Sequence, residues 1–210
     1  MDINFKNELK LAYDADAQRR DENEKSREQW KLDIRSKFAD LSRSQGGMSI
    51  LELGSGVGID AKFFEDAGFD VLATDLSESM VKLCQSRGLD AQVLDLYDIK
   101  NLDRKFDGVF SMNVLLHVPR KDLDQVLSSI KDAMIPGGIF FYGVYGEVDR
   151  EEVITDRSKM NMPRFFSFLS DESIQEIAGR YFEIVEFSIV QLPYDKNELH
   201  FQSLWLRKPL

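Results

Sequence analysis

A doubly wound α/β sheet in one domain is the architecture this 210-residue chain predicts, and three observations predict it. A short apolar run, Ile50-Leu51-Glu52-Leu53, leads straight into glycines at 54, 56 and 58, and an amphipathic stretch from Ile59 to Phe64 follows. Strand, turn and helix signals then alternate from residue 48 to residue 146, with no internal repeat or low-complexity tract. Finally, 43% hydrophobic and 30% charged residues suit one domain large enough to bury a full core.

The elements follow in order. Residues 5–43 are charge-rich, with Leu9, Leu11, Tyr13, Trp30, Ile34, Phe38 and Leu41 interspersed, and read as two helices ended by Gly46-Gly47. The run at 50–53 is a buried first strand, and the glycines after it make a strand–loop–helix nucleotide-binding unit. Residues 69–75 form a second strand ending in Asp75. Ser77 caps the next helix, with Val81, Leu83 and Cys84 among its apolar positions, and Gly88 ends it. Residues 90–94 form a third strand followed by Asp95-Leu96. A fourth strand, 106–112, opens into Asn113-Val114-Leu115-Leu116-His117-Val118-Pro119, and the turn Pro136-Gly137-Gly138 leads into a fifth at 139–145. Residues 146–169 are too long for a simple connection, which marks a functional insertion, and a helix begins near Ser170. Two last strands, 182–190 and 199–206, are joined by a turn at Pro193.

Spacing narrows the nucleotide. A dinucleotide fingerprint needs a third small residue where Ile59 stands, and here the glycines alternate instead. An acid ending the second strand, Asp75, suits a ribose hydroxyl pair with either kind of cofactor; it could also serve the helix N-terminus beside Ser77. His117 falls at the C-terminal edge of the sheet, where it is either a packing histidine before Pro119 or a group that contacts substrate. His200 lies in a late strand, where a half-exposed strand residue is the plainer reading. Arg19, Arg20 and Trp30 read as a solvated face and a packing anchor. Arg164 could pair with an acidic substrate group or a surface carboxylate. Cys84 reads as a small helix hydrophobe.

The glycine pattern after Leu51-Glu52-Leu53, with Asp75, Asp95-Leu96 and the segment after the fourth strand, resembles class I S-adenosylmethionine-dependent methyltransferases across residues 48–146. Tyr13-Asp14, residues 115–119, Pro163 to Phe168 and His200 to Leu204 look like a bacterial small-molecule branch of that family. The resemblance implies a Rossmann-like, seven-stranded, mostly parallel sheet with an antiparallel last strand and an N-terminal helical lid. It implies a single domain over 1–210: a lid at 1–45, a cofactor core at 48–146, a substrate-side insertion at 147–169, and a closing helix and strands at 170–210. It further implies S-adenosylmethionine as methyl donor, with S-adenosylhomocysteine as product. Glu52, Gly54, Ser55, Gly56, Gly58, Asp75, Leu76, Met80, Asp95, Leu96 and Asn113 would hold the cofactor, with Asp98 a rival to Asp95 as the adenine acid. His117 and Tyr13 are the candidate catalytic pair. Tyr145, Arg164, Phe166 and His200 would shape the pocket of a small-molecule acceptor methylated on oxygen, nitrogen or sulfur. A non-catalytic binding module with the same cofactor site and an NAD-dependent oxidoreductase are the competing readings.

Composition bounds the rest. A net charge of −10 without a Lys/Arg cluster disfavours nucleic acid, whose binding draws on cationic contacts to phosphate. No apolar run approaches the roughly 20 residues that span a bilayer. The polar N-terminus is unlike a secretory signal, so cytoplasmic residence is expected. One cysteine excludes an intramolecular disulfide, and two histidines leave little for a metal site. Oligomeric state is not legible.

Overall fold

A computed structural model describes residues 4–22, 28–155, 162–191 and 199–210. The expected turn at Pro193 lies outside the described residues. Seven strands form one sheet: β1 (Ser49–Leu53), β2 (Asp70–Asp75), β3 (Ala91–Val93), β4 (Phe106–Met112), β5 (Met134–Gly146), β8 (Glu183–Val190) and β9 (His200–Arg207), in the order β3-β2-β1-β4-β5-β9-β8. The first five are parallel, and β9 runs antiparallel to both β5 and β8. The two middle strands, β1 and β4, are apolar and buried on both faces, as a doubly covered parallel sheet requires.

Helices cover both faces. On one, α2 (Gln29–Ser44), α3 (Ile59–Asp66) and α4 (Glu78–Ser86) bury Phe38, Phe64 and Val81 against Phe110, Phe141 and Trp205. On the other, α5 (Arg120–Ala133) and α6 (Asp171–Gly179) bury Leu127, Ile130 and Ile174 against Phe140 and Leu204. Ser77 and Ser170 cap α4 and α6 through their hydroxyls, accepting from Met80 N at 3.1 Å and Ser173 N at 3.2 Å.

Several details differ from the sequence reading. Pro136-Gly137-Gly138 does not separate helix from strand; it lies inside β5 as a bulge, because Met134 pairs with Phe106 and Ile139 with Gly108. The long connection is a two-stranded hairpin, β6 (Arg150–Thr155) with β7 (Pro163–Phe168). The two N-terminal helices have different jobs. Phe38 stacks its edge on Phe110 and Trp30 lies 4.7 Å from the Phe201 ring, so most of α2 belongs to the sheet's own covering layer. Helix α1 (Asn4–Glu22) instead packs on β7 and α4. It buries Leu9, Ala12, Asp16 and Ala17, a one-face spacing, and leaves Leu11 56% exposed.

Candidate active site

The C-terminal ends of β1 and β4, where strand order reverses, open into a cavity of about 570 Å³. One wall is made by Gly54, Ser55, Gly56, Asp75, Leu76, Asp95 and Leu96. The lining also includes Tyr13, Asn113, His117, Tyr145, Arg164 and Phe166. These thirteen residues come from seven places in the chain, and the sheet edge is what gathers them.

The loop after β1 is tied down before it turns. Ser55 N donates to Thr74 O at 2.8 Å, and Gly54 and Gly56 flank it at φ 66° and 54°, where a side chain is strained. Asp75 then orders the loop: its Oδ2 accepts from Gly56 N and its Oδ1 from Ser77 N, both at 2.9 Å. Each oxygen keeps a second acceptor position, which is what a vicinal diol needs. Burial pushes the Asp75 carboxyl above its ordinary range, against these amide donors and the Arg20 charge. Asp95 caps the short 3-10 turn Leu96–Asn101 by accepting from Tyr97 N at 3.1 Å. Its other oxygen takes Lys6 Nζ at 2.8 Å, and that ammonium sits 3.5 Å from the Tyr97 ring centre. Helix α1 thereby closes this wall.

Asn113 turns the chain out of β4 at φ 61°, its N–H donating to Gly143 O at 2.8 Å. Its side-chain oxygen is buried without a hydrogen-bond partner among the described residues. A buried acceptor left unpaired costs about 1–3 kcal/mol, so a donor group in the cavity would be bound at a position already desolvated. With the open space beside Gly56, where a Cβ would meet nothing within 4 Å, and the Asp75 acceptor pair, the site fits an adenosyl group.

His117 ends the 3-10 turn Leu115–His117. Its Nδ1 lies 2.7 Å from Phe165 O; a carbonyl only accepts, so Nδ1 carries the hydrogen. In the neutral ring Nε2 is then an acceptor, and Tyr13 O–H donates to it at 2.7 Å. Burial pulls the imidazole down to about 4, with the Arg164 and Arg20 charges adding to the effect. Burial raises the Tyr13 phenol, opposed by the same two arginines.

This has a stability consequence. Between the ordinary histidine value near 6.5 and the folded value near 4, the unfolded chain takes up a proton that the folded chain does not. Stability should therefore fall as pH drops through that window, by about 3 kcal/mol in all, and be free of this penalty above it. Denaturant titrations of wild type and His117→Gln at several pH values should show the wild type losing more on acidification. Equal pH slopes would remove the buried neutral imidazole.

Four residues expected in the site stand outside the cavity wall. Glu52 is buried beneath the loop; burial and then the Asp60 and Asp75 charges drive its carboxyl well up, and among the described residues its Oε2 has no partner. Gly58 is a packing position, since a Cβ there would lie 2.7 Å from Leu89 Cδ1 and 2.9 Å from Cys84 Sγ. Met80 packs with Val57 and Ala17 behind the loop. His200 is buried rather than half-exposed. It holds Asp171 Oδ1 at 2.8 Å and Glu147 Oε2 at 3.2 Å, away from the cavity. Sequence reasoning also missed cavity residues. Arg19 and Arg20, taken for a solvated face, line it together with Lys6, Lys31 and Arg35. The signal available was the i, i+3, i+4 spacing of Asp16, Arg19 and Arg20, which marks a paired helix face.

Residues 51–142 match a family model described as a methyltransferase domain. A malonyl-[acyl-carrier protein] O-methyltransferase of Hamiltonella defensa is 28% identical over 159 residues, covering 74% of this chain and 60% of that protein. The chain spans between 27% and 60% of the length of the curated relatives it matches. Among solved structures, a Burkholderia thailandensis 1,6-didemethyltoxoflavin-N1-methyltransferase, bound to 1,6-didemethyltoxoflavin and S-adenosylhomocysteine, superposes with a TM-score of 0.69 at 21% identity. That match covers 97% of this chain and 88% of the other. A DhpI–S-adenosylhomocysteine complex gives 0.68 at 21% identity, covering 100% and 99%. The chain thus shares the fold of these structures, and its residues 51–142 are similar to a methyltransferase domain. Among the described residues no helix is long and apolar enough to cross a membrane.

Proposed function

We propose that this protein transfers the methyl group of S-adenosylmethionine to an oxygen, nitrogen or sulfur atom of a small molecule by in-line displacement. The observation that carries the reading is one cavity lined both by the carboxylates Asp75 and Asp95 beside the Gly54–Gly56 loop and by Tyr13, His117, Arg164 and Phe166. The cofactor supplies an already activated sulfonium-bound methyl, so no covalent enzyme intermediate is required. What the chain must supply is orientation in a site shielded from water, worth about 7–11 kcal/mol in well-oriented systems. Asp75 is suited to the ribose, Asp95 to the adenine amine with Leu96 against the ring, and the open space beside Gly56 with Asn113 to the remainder.

Tyr13 and His117 serve the acceptor side. An acceptor proton can pass to the Tyr13 oxygen while the Tyr13 hydrogen passes to His117 Nε2. The resulting imidazolium keeps both N–H groups bonded, to Tyr13 and Phe165 O. Similar proteins are named for transfer to oxygen and to nitrogen, so the heteroatom is left open. Nucleic acid is not the acceptor in this reading, because the chain carries net charge −10.

A ligand that binds only the folded state raises the melting temperature in proportion to RT ln(1 + [L]/Kd). S-adenosylhomocysteine at a hundredfold over its Kd should shift the melt by about 5–10 °C, and NAD should not. A shift with NAD alone would sink the reading. Transfer of labelled methyl from S-adenosylmethionine then separates an enzyme from a binding module.

A further inference from the structure

In a chain of net charge −10, six cations line this one cavity: Lys6, Arg19, Arg20, Lys31, Arg35 and Arg164, against three carboxylates, Asp60, Asp75 and Asp95. Most are spoken for. Lys6 holds Asp95, Arg35 holds Asp60, and Lys31 holds Glu28 at 2.5 Å. Arg20 has to share the buried Asp16 carboxylate with Arg19, at 2.8 and 2.6 Å. Arg164 is different. Among the described residues no carboxylate lies within ion-pair distance of it, and its guanidinium rests 5.5 Å from the Phe166 ring centre. Arg20 lies 4.9 Å from the Tyr13 ring centre, so the Tyr13 end of the cavity carries one unneutralised and one half-neutralised guanidinium. The His117 imidazole beside them is neutral and supplies no counter-charge.

We propose that the methyl acceptor is an anion whose carboxylate or phosphate group is gripped by Arg164 with Arg20 beside it, its body lying against Phe166 and Tyr145. This rests on the methyl-transfer reading and names the substrate class within it. The planar guanidinium fork matches a carboxylate or phosphate bidentately, and the Phe166 ring 5.5 Å away gives it a cation–π neighbour. The acidic outer surface does not forbid an anion. At physiological salt the screening length is about 8 Å, so distant carboxylates are damped while a guanidinium in contact is not. The oxyanion is a handle for orientation. The atom methylated sits elsewhere on the acceptor, within reach of Tyr13.

The test uses the full chain, methyl-labelled S-adenosylmethionine, and a dialysable bacterial small-molecule extract separated by ion exchange into anionic, neutral and cationic fractions. Label should enter product from the anionic fraction. Phosphatase treatment of that fraction beforehand removes the acceptor if the handle is a phosphate ester and spares it if it is a carboxylate. Arg164→Gln should raise the acceptor KM by about tenfold or more, with kcat much less affected, and Arg164→Lys should recover part of the loss. Both variants should keep the S-adenosylhomocysteine melting shift, which shows that they fold. Label from the neutral or cationic fraction, or an Arg164→Gln protein with wild-type KM, would overturn the proposal. No label from any fraction by a protein that still binds S-adenosylhomocysteine rejects methyl transfer itself, and this inference with it.

Discussion

Gly54→Ala should lower folding stability by about 2–4 kcal/mol and abolish the melting shift given by S-adenosylhomocysteine, although it adds a single methyl group. A Cβ at residue 54 would lie 2.3 Å from Val114 Cγ2, 2.9 Å from its Cγ1 and 3.1 Å from its Cβ. Val114 cannot swing away cheaply: it is β-branched, and it follows Asn113, which is pinned at φ 61° by its bond to Gly143 O. The residue must also keep φ 66°, which disfavours any side chain by about 1–2 kcal/mol. Gly56→Ala makes the contrast. It carries the same backbone strain at φ 54°, yet its methyl meets nothing within 4 Å, so stability should fall by only about 1–2 kcal/mol. Its methyl instead enters the cavity, and cofactor affinity is what suffers; Gly56→Val should eliminate binding. Denaturant melts with and without S-adenosylhomocysteine separate the two cases, and Val114→Ala should restore part of the stability lost in Gly54→Ala. If Gly54→Ala melted and bound as wild type does, the loop would not approach the β4 corner as described.

How far the sequence reaches can be judged from the same residues. The order of strands and the glycine loop were legible because both are local: an apolar run, a turn residue and an amphipathic stretch follow one another within a dozen positions. Asp75 was legible because a strand end is a predictable place at the sheet edge. What was not legible is placement across the chain. Asp95 and Lys6 are 89 positions apart, and Tyr13 and His117 are 104 apart. Nothing in a helical repeat tells whether Arg20 faces water or a cavity, because both faces of α1 carry charge. His200 failed for a related reason. Its neighbours in β9 predict a strand residue, but its surroundings are set by Asp171 and Glu147 from elements that meet it only in the fold. Glu52 and Met80 were assigned to the right neighbourhood and the wrong layer, since spacing gives proximity along a strand or helix and not depth beneath a loop.

Deleting residues 1–22 should leave a folded sheet while reducing methyl transfer on the order of a hundredfold or more. Neither large core cluster contains a residue of α1, and only Ala17 and Tyr13 join Met80 and Val57 in the small third one. The loss of stability is therefore limited to that patch and to the helix's contacts with β7 and α4. The loss at the site is far larger. Phe5, Lys6, Leu9, Tyr13, Arg19 and Arg20 all leave the cavity wall together, and Asp95 loses its ammonium while His117 Nε2 loses its donor. Water then reaches the place where the acceptor has to be oriented, and the electrostatic advantage of a closed site goes with it. Cofactor binding should weaken much less, because the Gly54–Gly56 loop, Asp75 and Asn113 belong to the sheet. The measurement is a pair: calorimetry with S-adenosylhomocysteine, and label transfer to the acceptor, on wild type and the truncated chain. Hydrogen exchange on the intact protein should also show α1 and the β6–β7 hairpin gaining protection when cofactor and acceptor bind together. Full turnover by the truncated chain would leave Tyr13 a packing role only and put the proton path on other groups.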